Sequence, residues 1–190
     1  MKKTTSILIA LIIAATTLPA QEEETLFGES GLHLSGAWGG PVFGTTFFDT
    51  ETVPTKGSFW GLEFNDMILI GMRKEKTFDS VKLRPEQDAL YDFKHRGYYI
   101  RFFPNRKKVV HPVFGFSMGN GELEKKGNSK DNLFLVQPAI GLEINIFNWW
   151  RAEVDGGYRF VSGTGLPGID DADLSTFFIT LSLRFGWSWQ

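Results

Sequence analysis

The chain has 190 residues, a formal net charge of −2 and no cysteine. Its length allows a single domain of ordinary size, its charge gives no sign of a nucleic-acid-binding surface, and the lack of thiols excludes disulfides and thiolate metal sites. Aromatic residues make up 15% of the chain, and Gly is abundant with 21 residues. This composition favours β-strands and tight turns over helices.

The N-terminal residues have the layout of a secretory signal peptide. Lys2 and Lys3 precede an apolar run over 6–15, and Leu18-Pro19-Ala20 ends the segment just before an acidic stretch. The apolar run is shorter than the roughly 20 residues that a membrane-spanning helix needs. We therefore predict a signal peptide over 1–20, a short N-terminal segment over 21–30 and one folded domain over 31–190.

The remainder of the chain contains eight stretches with the character of β-strands. The last is the clearest, because Phe177, Ile179 and Leu181 share one face while Thr180 and Ser182 share the other. An alternation longer than ten residues exceeds ordinary globular strands and suits a strand that crosses a membrane. The predicted strands are 31–46, 57–64, 67–73, 90–103, 109–118, 132–146, 150–161 and 173–189.

The connections between these strands alternate in length. Tight turns are predicted at 65–66, 104–108 and 147–149, after the second, fourth and sixth strands. Connections of about ten residues or more are predicted at 47–56, 74–89, 119–131 and 162–172. Such an alternation places all long loops at one end, as in up-and-down barrels whose long loops face outward. Because an open sheet edge is not viable in lipid, the first and eighth strands are expected to pair.

Charged residues occupy one face of several predicted strands. On the seventh strand, Arg151, Glu153, Asp155 and Arg159 share the face opposite Val154. Eight strands enclose a space only wide enough for side chains, so buried charges there must neutralise one another. We predict a lumen plugged by ion pairs among Glu63, Arg73, Arg101, Glu143, Arg151, Glu153, Asp155, Arg159 and Arg184.

Aromatic residues lie near both ends of the predicted strands. Aromatic belts at the two membrane interfaces are typical of membrane proteins. The rim with short turns is predicted to carry Phe64, Phe102, Trp149, Trp150, Phe185, Trp187 and Trp189. The opposite rim is predicted to carry Phe47, Trp60, Phe134, Phe160 and Phe177.

The stretch from Gly141 to Phe160 contains a short turn with aromatic anchors and a return strand that includes Gly157-Tyr158-Arg159. Together with the aromatic last strand, it resembles the small eight-stranded outer-membrane barrels of Gram-negative bacteria, the group of the OmpA transmembrane domain and OmpX. One departure is Gln190, which follows Trp189 where such barrels end in an aromatic residue. The resemblance implies an all-β, eight-stranded antiparallel transmembrane barrel over 31–190, located in the cell outer membrane. It also implies recognition of the last strand by the outer-membrane assembly machinery.

The function expected from these features is structural or interactive, through the long outer loops. Partners are expected to be outer-membrane lipid and lipopolysaccharide, with no nucleic acid, and the barrel is expected to be a monomer without a cofactor. Basic residues of the predicted loops would attract lipopolysaccharide phosphates. These residues are Lys74, Lys76, Lys82, Arg84, Lys125, Lys126 and Lys130.

Three alternatives stay open. A lipid A modifying barrel enzyme would use His95 or His111. General base catalysis needs a nucleophile and a carboxylate within reach, and His95 has Asp92 close by in sequence but no serine at a neighbouring level. A narrow pore for small solutes would need an open lumen. A soluble lipocalin-like barrel would have an apolar lumen. The expectation is that the protein is not an enzyme.

Two further motifs are weak. The carboxylates at 170–173 lack the spacing and glycine of a calcium loop, so a solvated acidic loop is expected. The glycine-rich stretch 39–44 lacks the Gly-Lys-Ser/Thr ending of a phosphate loop, and its glycines fit strand curvature in a narrow barrel. The histidines, including His33 and His111 on inward parity, are expected to be ordinary lumen residues.

Overall fold

The computed structural model of the protein describes residues 31–84, 89–125 and 129–189. The predicted signal peptide and the segment 21–30 lie outside these residues. The chain divides into two units, Met1–His33 and Leu34–Gln190. Within the described residues, no helix is long and apolar enough to span a membrane.

The second unit is a closed barrel of eight antiparallel strands in sequence order, and β1 pairs with β8 as predicted. The fold class predicted from the sequence is thus confirmed. A four-residue helix, α1 (Asp171–Leu174), lies in the last connection. The strands are β1 (Leu34–Phe47), β2 (Thr52–Phe64), β3 (Ile68–Thr77), β4 (Tyr91–Phe102), β5 (Val110–Lys125), β6 (Ser129–Phe147), β7 (Trp150–Ser162) and β8 (Thr176–Ser188).

The three short turns lie at one end of the barrel, as predicted. In the first turn, Asn65 and Asp66 have φ of 50° and 57°, and the N–H of Met67 donates to the carbonyl of Phe64 at 3.0 Å. Two consecutive positive φ angles make a type I′ turn, whose twist matches that of the flanking strands. Asn148 and Trp149 form the third turn, between β6 and β7.

Two of the four connections predicted to be long are short. The strands β2, β3, β5 and β6 extend beyond their predicted ends, so only residues 48–51 separate β1 from β2 and only residues 126–128 separate β5 from β6. The second and fourth connections, 78–90 and 163–175, remain long. Polar residues near the strand ends had suggested loops, whereas they are the outward-facing half of continuing strands.

The strand register sets the tilt of the wall. From Phe43 on β1, a path through directly paired, outward-facing residues of β2, β3 and β4 reaches Glu122 on β5. The path in the other direction, through β8, β7 and β6, reaches Pro112 on β5. The two end points differ by ten residues (122 − 112). A stagger of this size in eight strands corresponds to a tilt of about 40° from the barrel axis. Each residue along a strand then adds about 2.5 Å of height, and each strand step adds about 3 Å.

Candidate functional site

The interior of the barrel holds all nine residues predicted for the lumen, and each of them is buried. Glu63 and Glu143 are 0% exposed and Arg184 is 1% exposed. Burying ionised groups is costly unless each is paired and hydrogen-bonded. The partners of these charges therefore decide what the interior can do. The nine are Glu63, Arg73, Arg101, Glu143, Arg151, Glu153, Asp155, Arg159 and Arg184.

Near the short-turn end, Glu143 is the centre of a cluster of basic side chains. Its carboxylate accepts a hydrogen bond from Arg184 and lies 3.4 Å from Arg151 Nη1 and 3.3 Å from His111 Nε2. Glu63 lies beside this cluster, with Arg151 Nη1 at 3.7 Å. A carboxylate on β6 thus joins side chains from β5, β7 and β8 across the barrel.

The same end is closed by a residue that the sequence pattern did not reveal. Arg106, from the second short turn, places Nη1 3.0 Å from Glu63 and 2.8 Å from Asp66. Ser188 donates to Glu63 at 2.9 Å. Strand alternation gives no information about a turn residue, so Arg106 could not be assigned to the interior from the sequence.

At mid-height, a second cluster forms around Asp155. Arg101 hydrogen bonds to Asp155 and places Nε 3.1 Å from Glu153. Thr180 also donates to Asp155, and Arg73 Nη1 lies 3.9 Å from it. A Cβ atom at Gly115 would overlap the Arg101 guanidinium, so the absence of a side chain there lets Arg101 lie across β5.

Above this cluster, the polar interior ends with Glu75, His95, Gln137 and Arg159. Arg73 Nε donates to Glu75 at 2.6 Å, and His95 Nε2 lies 3.8 Å from the same carboxylate. With its amide oriented to suit its neighbours, Gln137 accepts from Arg159 Nε at 2.7 Å and donates to His95 Nε2 at 3.2 Å. Glu75 shares the parity of Arg73 on β3, which is the signal that could have placed it in the lumen.

Inward-facing aromatic rings pack between the cations. The Arg151 guanidinium carbon lies 3.9 Å from the centre of the Trp38 ring, and that of Arg184 lies 4.4 Å from the Phe103 ring. Arg159 lies 4.8 Å from the Phe93 ring. Cation–π contacts are stronger when desolvated, so the rings stabilise arginines that have incomplete ion pairing.

The upper part of the interior is apolar, which differs from the prediction of a polar lumen throughout. Inward-facing strand residues meet side chains from the two long connections in one buried cluster. Val81 on the second connection exchanges backbone hydrogen bonds of 2.7 and 2.9 Å with Tyr91 on β4. The cluster contains Phe48, Val53, Val81, Leu83, Tyr91, Phe93, Leu123, Leu133, Leu135, Val161, Ile169 and Leu174.

The acidic stretch 170–173 joins the two long connections through ion pairs. Arg84 places Nη2 2.7 Å from Asp170 and 2.8 Å from Asp173. Hydrogen bonds with Asp173 and Asp170 raise the pKa of Arg84 above its ordinary value. These carboxylates serve a loop contact, and among the described residues no group of three His, Cys, Asp or Glu side chains could hold a metal ion.

Asp171 organises the fourth connection. Its carboxylate accepts from the N–H of Thr164 at 2.8 Å and from the N–H of Gly163 at 3.3 Å. Interaction with the Thr164 side chain, the largest cause, lowers the pKa of the Asp171 carboxyl together with the hydrogen bonds from the N–H groups of Thr164 and Gly163. The ionised form of Asp171 therefore holds the fourth connection over the apolar cluster.

The three histidines differ in position. His95 and His111 are buried, whereas His33 is exposed and lies before β1, contrary to its expected inward parity. The Nδ1 atom of His111 lies 3.2 Å from the carbonyl of Lys108. The ring also packs edge-on against Phe103 at a centroid distance of 6.1 Å. Both ring nitrogens of His111 thus face protein groups.

A small cavity of about 10 Å³ lies in the barrel interior beside Tyr99, Arg101, Glu153 and Arg184. A volume of this size is about that of one water molecule. The glycine-rich stretch 39–44 lies within β1 and forms no phosphate-binding loop.

The seven aromatic residues predicted for the short-turn rim lie at that end of the wall. Trp150 stacks on Phe185 at a centroid distance of 6.2 Å, and Trp149 lies 6.3 Å from Phe185. Phe102, Trp149, Trp187 and Trp189 are exposed, while Phe64 and Trp150 are partly buried. All five residues predicted for the opposite rim face outward and are exposed, although Trp60 lies nearer the middle of its strand: Phe47, Trp60, Phe134, Phe160 and Phe177.

Several basic residues assigned to loops from the sequence lie instead on strands. Lys74 and Lys76 are exposed, outward-facing residues of β3, and Lys130 is exposed on β6. Lys125 ends β5, Lys82 and Arg84 lie in the second connection, and Lys126 lies outside the described residues.

Comparison of the sequence with protein-family profiles and with curated proteins finds no match. Among solved structures, Neisserial surface protein A is similar with a TM-score of 0.55 and 9% identity over 84% of this chain and 100% of its own. The protein has the fold of a small outer-membrane barrel. The resemblance predicted from the sequence is thus confirmed at the level of the fold.

Two other solved barrels are more distant. Ail of Yersinia pestis has a TM-score of 0.49 and 14% identity, covering 82% of this chain and 97% of its own. The outer membrane protein AlkL has a TM-score of 0.44 and 12% identity, covering 88% and 97%.

Proposed function

We propose that this protein is a monomeric outer-membrane barrel with a closed lumen, which acts through its outer end and outer wall in a structural or surface-interaction role. The observation that carries the proposal is that side chains of the described residues occupy successive levels of the interior. Ion pairs around Glu143 and Asp155 occupy its lower and middle parts, and the apolar cluster around Leu123 and Leu135 occupies its upper part.

The outer wall supports insertion in lipid. Large apolar side chains face outward on every strand, among them Ile70 on β3, Ile140 on β6 and Leu181 on β8. A continuous apolar exterior of this kind would be unfavourable in water but matches the hydrocarbon of a membrane. Outer-membrane lipid and lipopolysaccharide are therefore the proposed surroundings of the wall. The aromatic last strand is the proposed recognition element for assembly.

A pore is the weaker proposal, because a solute would have to separate charges such as Arg184 and Glu143 in a region of low dielectric constant. An enzyme that modifies lipid A is likewise a weaker proposal than a closed barrel with a structural or surface-interaction role. His95 and His111 face the interior, where Glu75 and Glu143 are their nearest carboxylates, and lipid lies on the other side of the wall.

Cysteine labelling in cells tests the proposed location and orientation. The natural chain has no cysteine, so a single introduced thiol reports one position without background. Pro167→Cys, at an exposed position of the fourth connection, should react with a membrane-impermeant maleimide on intact cells. Asn148→Cys, in the third short turn, is the matched control and should react only after the outer membrane is permeabilised.

The opposite labelling pattern, or recovery of the protein in the soluble periplasmic fraction, would contradict the proposal. Heating gives an independent check, since closed barrels of this class usually migrate differently on gels before and after boiling when their sheet is intact. Identical migration would also count against a membrane barrel.

A further inference from the structure

Five basic side chains cover adjacent positions on the outer face of β2, β3 and β4. All five point away from the lumen and are exposed or largely so. In the register of the sheet, Lys56 is directly opposite Lys76, which is directly opposite Lys94, and Lys74 is directly opposite Arg96. We refer to Lys56, Lys74, Lys76, Lys94 and Arg96 as the basic patch.

The arrangement within the patch is unfavourable by itself. Like charges placed directly opposite each other on neighbouring strands destabilise a sheet. Within the described residues, Lys74, Lys76 and Arg96 make no ion pair, and Lys94 makes one with Glu124 at 3.3 Å. Lys56 lies over the ring of Phe78 at 4.2 Å. An external anion would relieve the repulsion that the protein itself leaves uncompensated.

Neighbouring acids limit the patch on β4 and β5. Asp92 precedes Lys94 on the outer face of β4 and accepts from Ser80 at 2.7 Å. Glu122 and Glu124 lie next to the patch on β5, where Lys130 from β6 pairs with both at 3.1 and 3.7 Å. The strongest uncompensated positive charge is therefore on β3 and the adjacent parts of β2 and β4. An anion seated near Lys74 and Lys76 would be away from these carboxylates.

The patch lies directly above the apolar part of the wall. Below Lys74 on β3, the outward-facing residues are Met72, Ile70 and Ile68, and the neighbour of Met72 on β4 is Tyr98, which is 66% exposed. A tyrosine at the boundary between an apolar and a charged surface is characteristic of a membrane interface. The basic patch thus begins where the hydrocarbon-facing surface ends on this side.

On the opposite side of the barrel, the apolar surface reaches higher. Lys76 is separated from Phe43 by two steps between paired strands, which places it about 6 Å higher along the barrel axis. Leu181 is one step below Phe43, and Phe177 is four residues above Leu181, or about 7 Å above Phe43. Lys76 and Phe177 therefore lie at about the same height. At a level where β8 still presents an aromatic ring to lipid, β3 presents cations.

We propose that the basic patch binds the phosphate groups of an anionic lipid headgroup in the outer leaflet, while the acyl chains of that lipid pack on the apolar surface below. This inference rests on the proposed function, because it requires the end of the barrel opposite the short turns to lie at the outer leaflet. It assigns the lipid contact to the strands of one side of the wall, where the sequence had suggested loop residues.

Native mass spectrometry of the refolded full chain released from detergent micelles tests the inference. The probes are lipid A with two phosphates and a synthetic phosphate-free analogue with the same acyl chains. The wild type should retain the phosphorylated probe in preference to the analogue. Attraction of one lysine to an anionic lipid surface corresponds to about fivefold in affinity, so Lys74→Gln with Lys76→Gln should weaken binding about 25-fold.

The matched control is Lys107→Gln with Lys108→Gln, which removes two exposed lysines from the short-turn end. This control should bind the phosphorylated probe as the wild type does. Equal binding by the patch variant and the control, equal binding of the two probes, or displacement by inorganic phosphate at the concentration of the lipid would each overturn the inference. If the wild type inserts into membranes but shows no phosphate preference, only the inference fails. If it does not insert, the proposed function fails as well.

Discussion

The lower and upper parts of the barrel are built from the same strands, but the faces that carry polar and apolar side chains are exchanged between them. On the lower part of β6, Glu143 faces inward and Ile144 faces outward, whereas near its upper end Leu133 faces inward and Asn132 faces outward. The inversion matches two surroundings, because a wall in lipid can place its charges only inside and a wall in water can bury apolar side chains only inside. This arrangement fits the proposed function, in which the lower part of the wall lies in lipid and the upper part lies in water around an apolar core.

The largest expected effect comes from removing the central anion of the lower part. Glu143→Leu leaves Arg184 and Arg151 buried with reduced pairing, and breaking a buried network in this way costs about 3–5 kcal/mol. Urea unfolding of the barrel in lipid vesicles should measure this loss. Glu122→Leu, which removes an exposed ion pair with Lys130, is the control and should cost clearly less.

The apolar upper part should respond to loss of volume. Leu123→Ala should destabilise the barrel by about 2–5 kcal/mol, since Leu123 is completely buried in the upper cluster. The same unfolding measurement applies. Leu142→Ala, which truncates a leucine that is 55% exposed on the outer wall, should cost clearly less. Equal costs for the two variants would contradict the presence of a packed core in the upper part.

The outer surface of the lower part should reject charge. Leu181 faces outward on β8, and Leu181→Arg should cost about 2–4 kcal/mol if the side chain lies near the bilayer midplane. The decrease in the free energy of unfolding of the protein folded into lipid vesicles measures this cost. An effect near zero would mean that this part of the wall does not face lipid.

The smallest expected effect concerns acid and the fourth connection. Hydrogen bonding holds the pKa of Asp171 below its ordinary value, so its stabilising contribution is present above the unfolded pKa and is lost as the pH falls through the folded pKa. Hydrogen exchange of the Gly163 and Thr164 amides should therefore increase below about pH 4 after correction for intrinsic rates. In the Asp171→Asn variant, this pH dependence of hydrogen exchange should disappear. If it persists, a group other than Asp171 causes the effect.

The sequence was sufficient to predict the number of strands, the closure of β1 on β8 and the inward parity of the charges. Polar and apolar residues alternate with a period of two wherever the two faces of a strand differ in polarity. The prediction failed near the upper ends of β2, β3, β5 and β6. There the outward residues, such as Lys74 and Glu122, are polar like loop residues, and the apolar signal moves to inward residues such as Leu123.

The pairing of interior charges could not be predicted from parity. Parity assigns Arg184 to the lumen, but its choice of Glu143 and the approach of Arg106 to Glu63 depend on register, tilt and turn geometry. The basic patch is likewise a property of the register, since Lys56, Lys76 and Lys94 are far apart in sequence and are brought into one row by three strands.

Conductance of the purified protein in planar bilayers tests the central claim, a lumen closed by paired charges below and an apolar core above. A wide-lumen porin reconstituted at the same protein-to-lipid ratio serves as the positive control. A closed lumen predicts no steady channels for the wild type at moderate voltage. Reproducible, steady single-channel currents from the wild-type barrel would contradict the account.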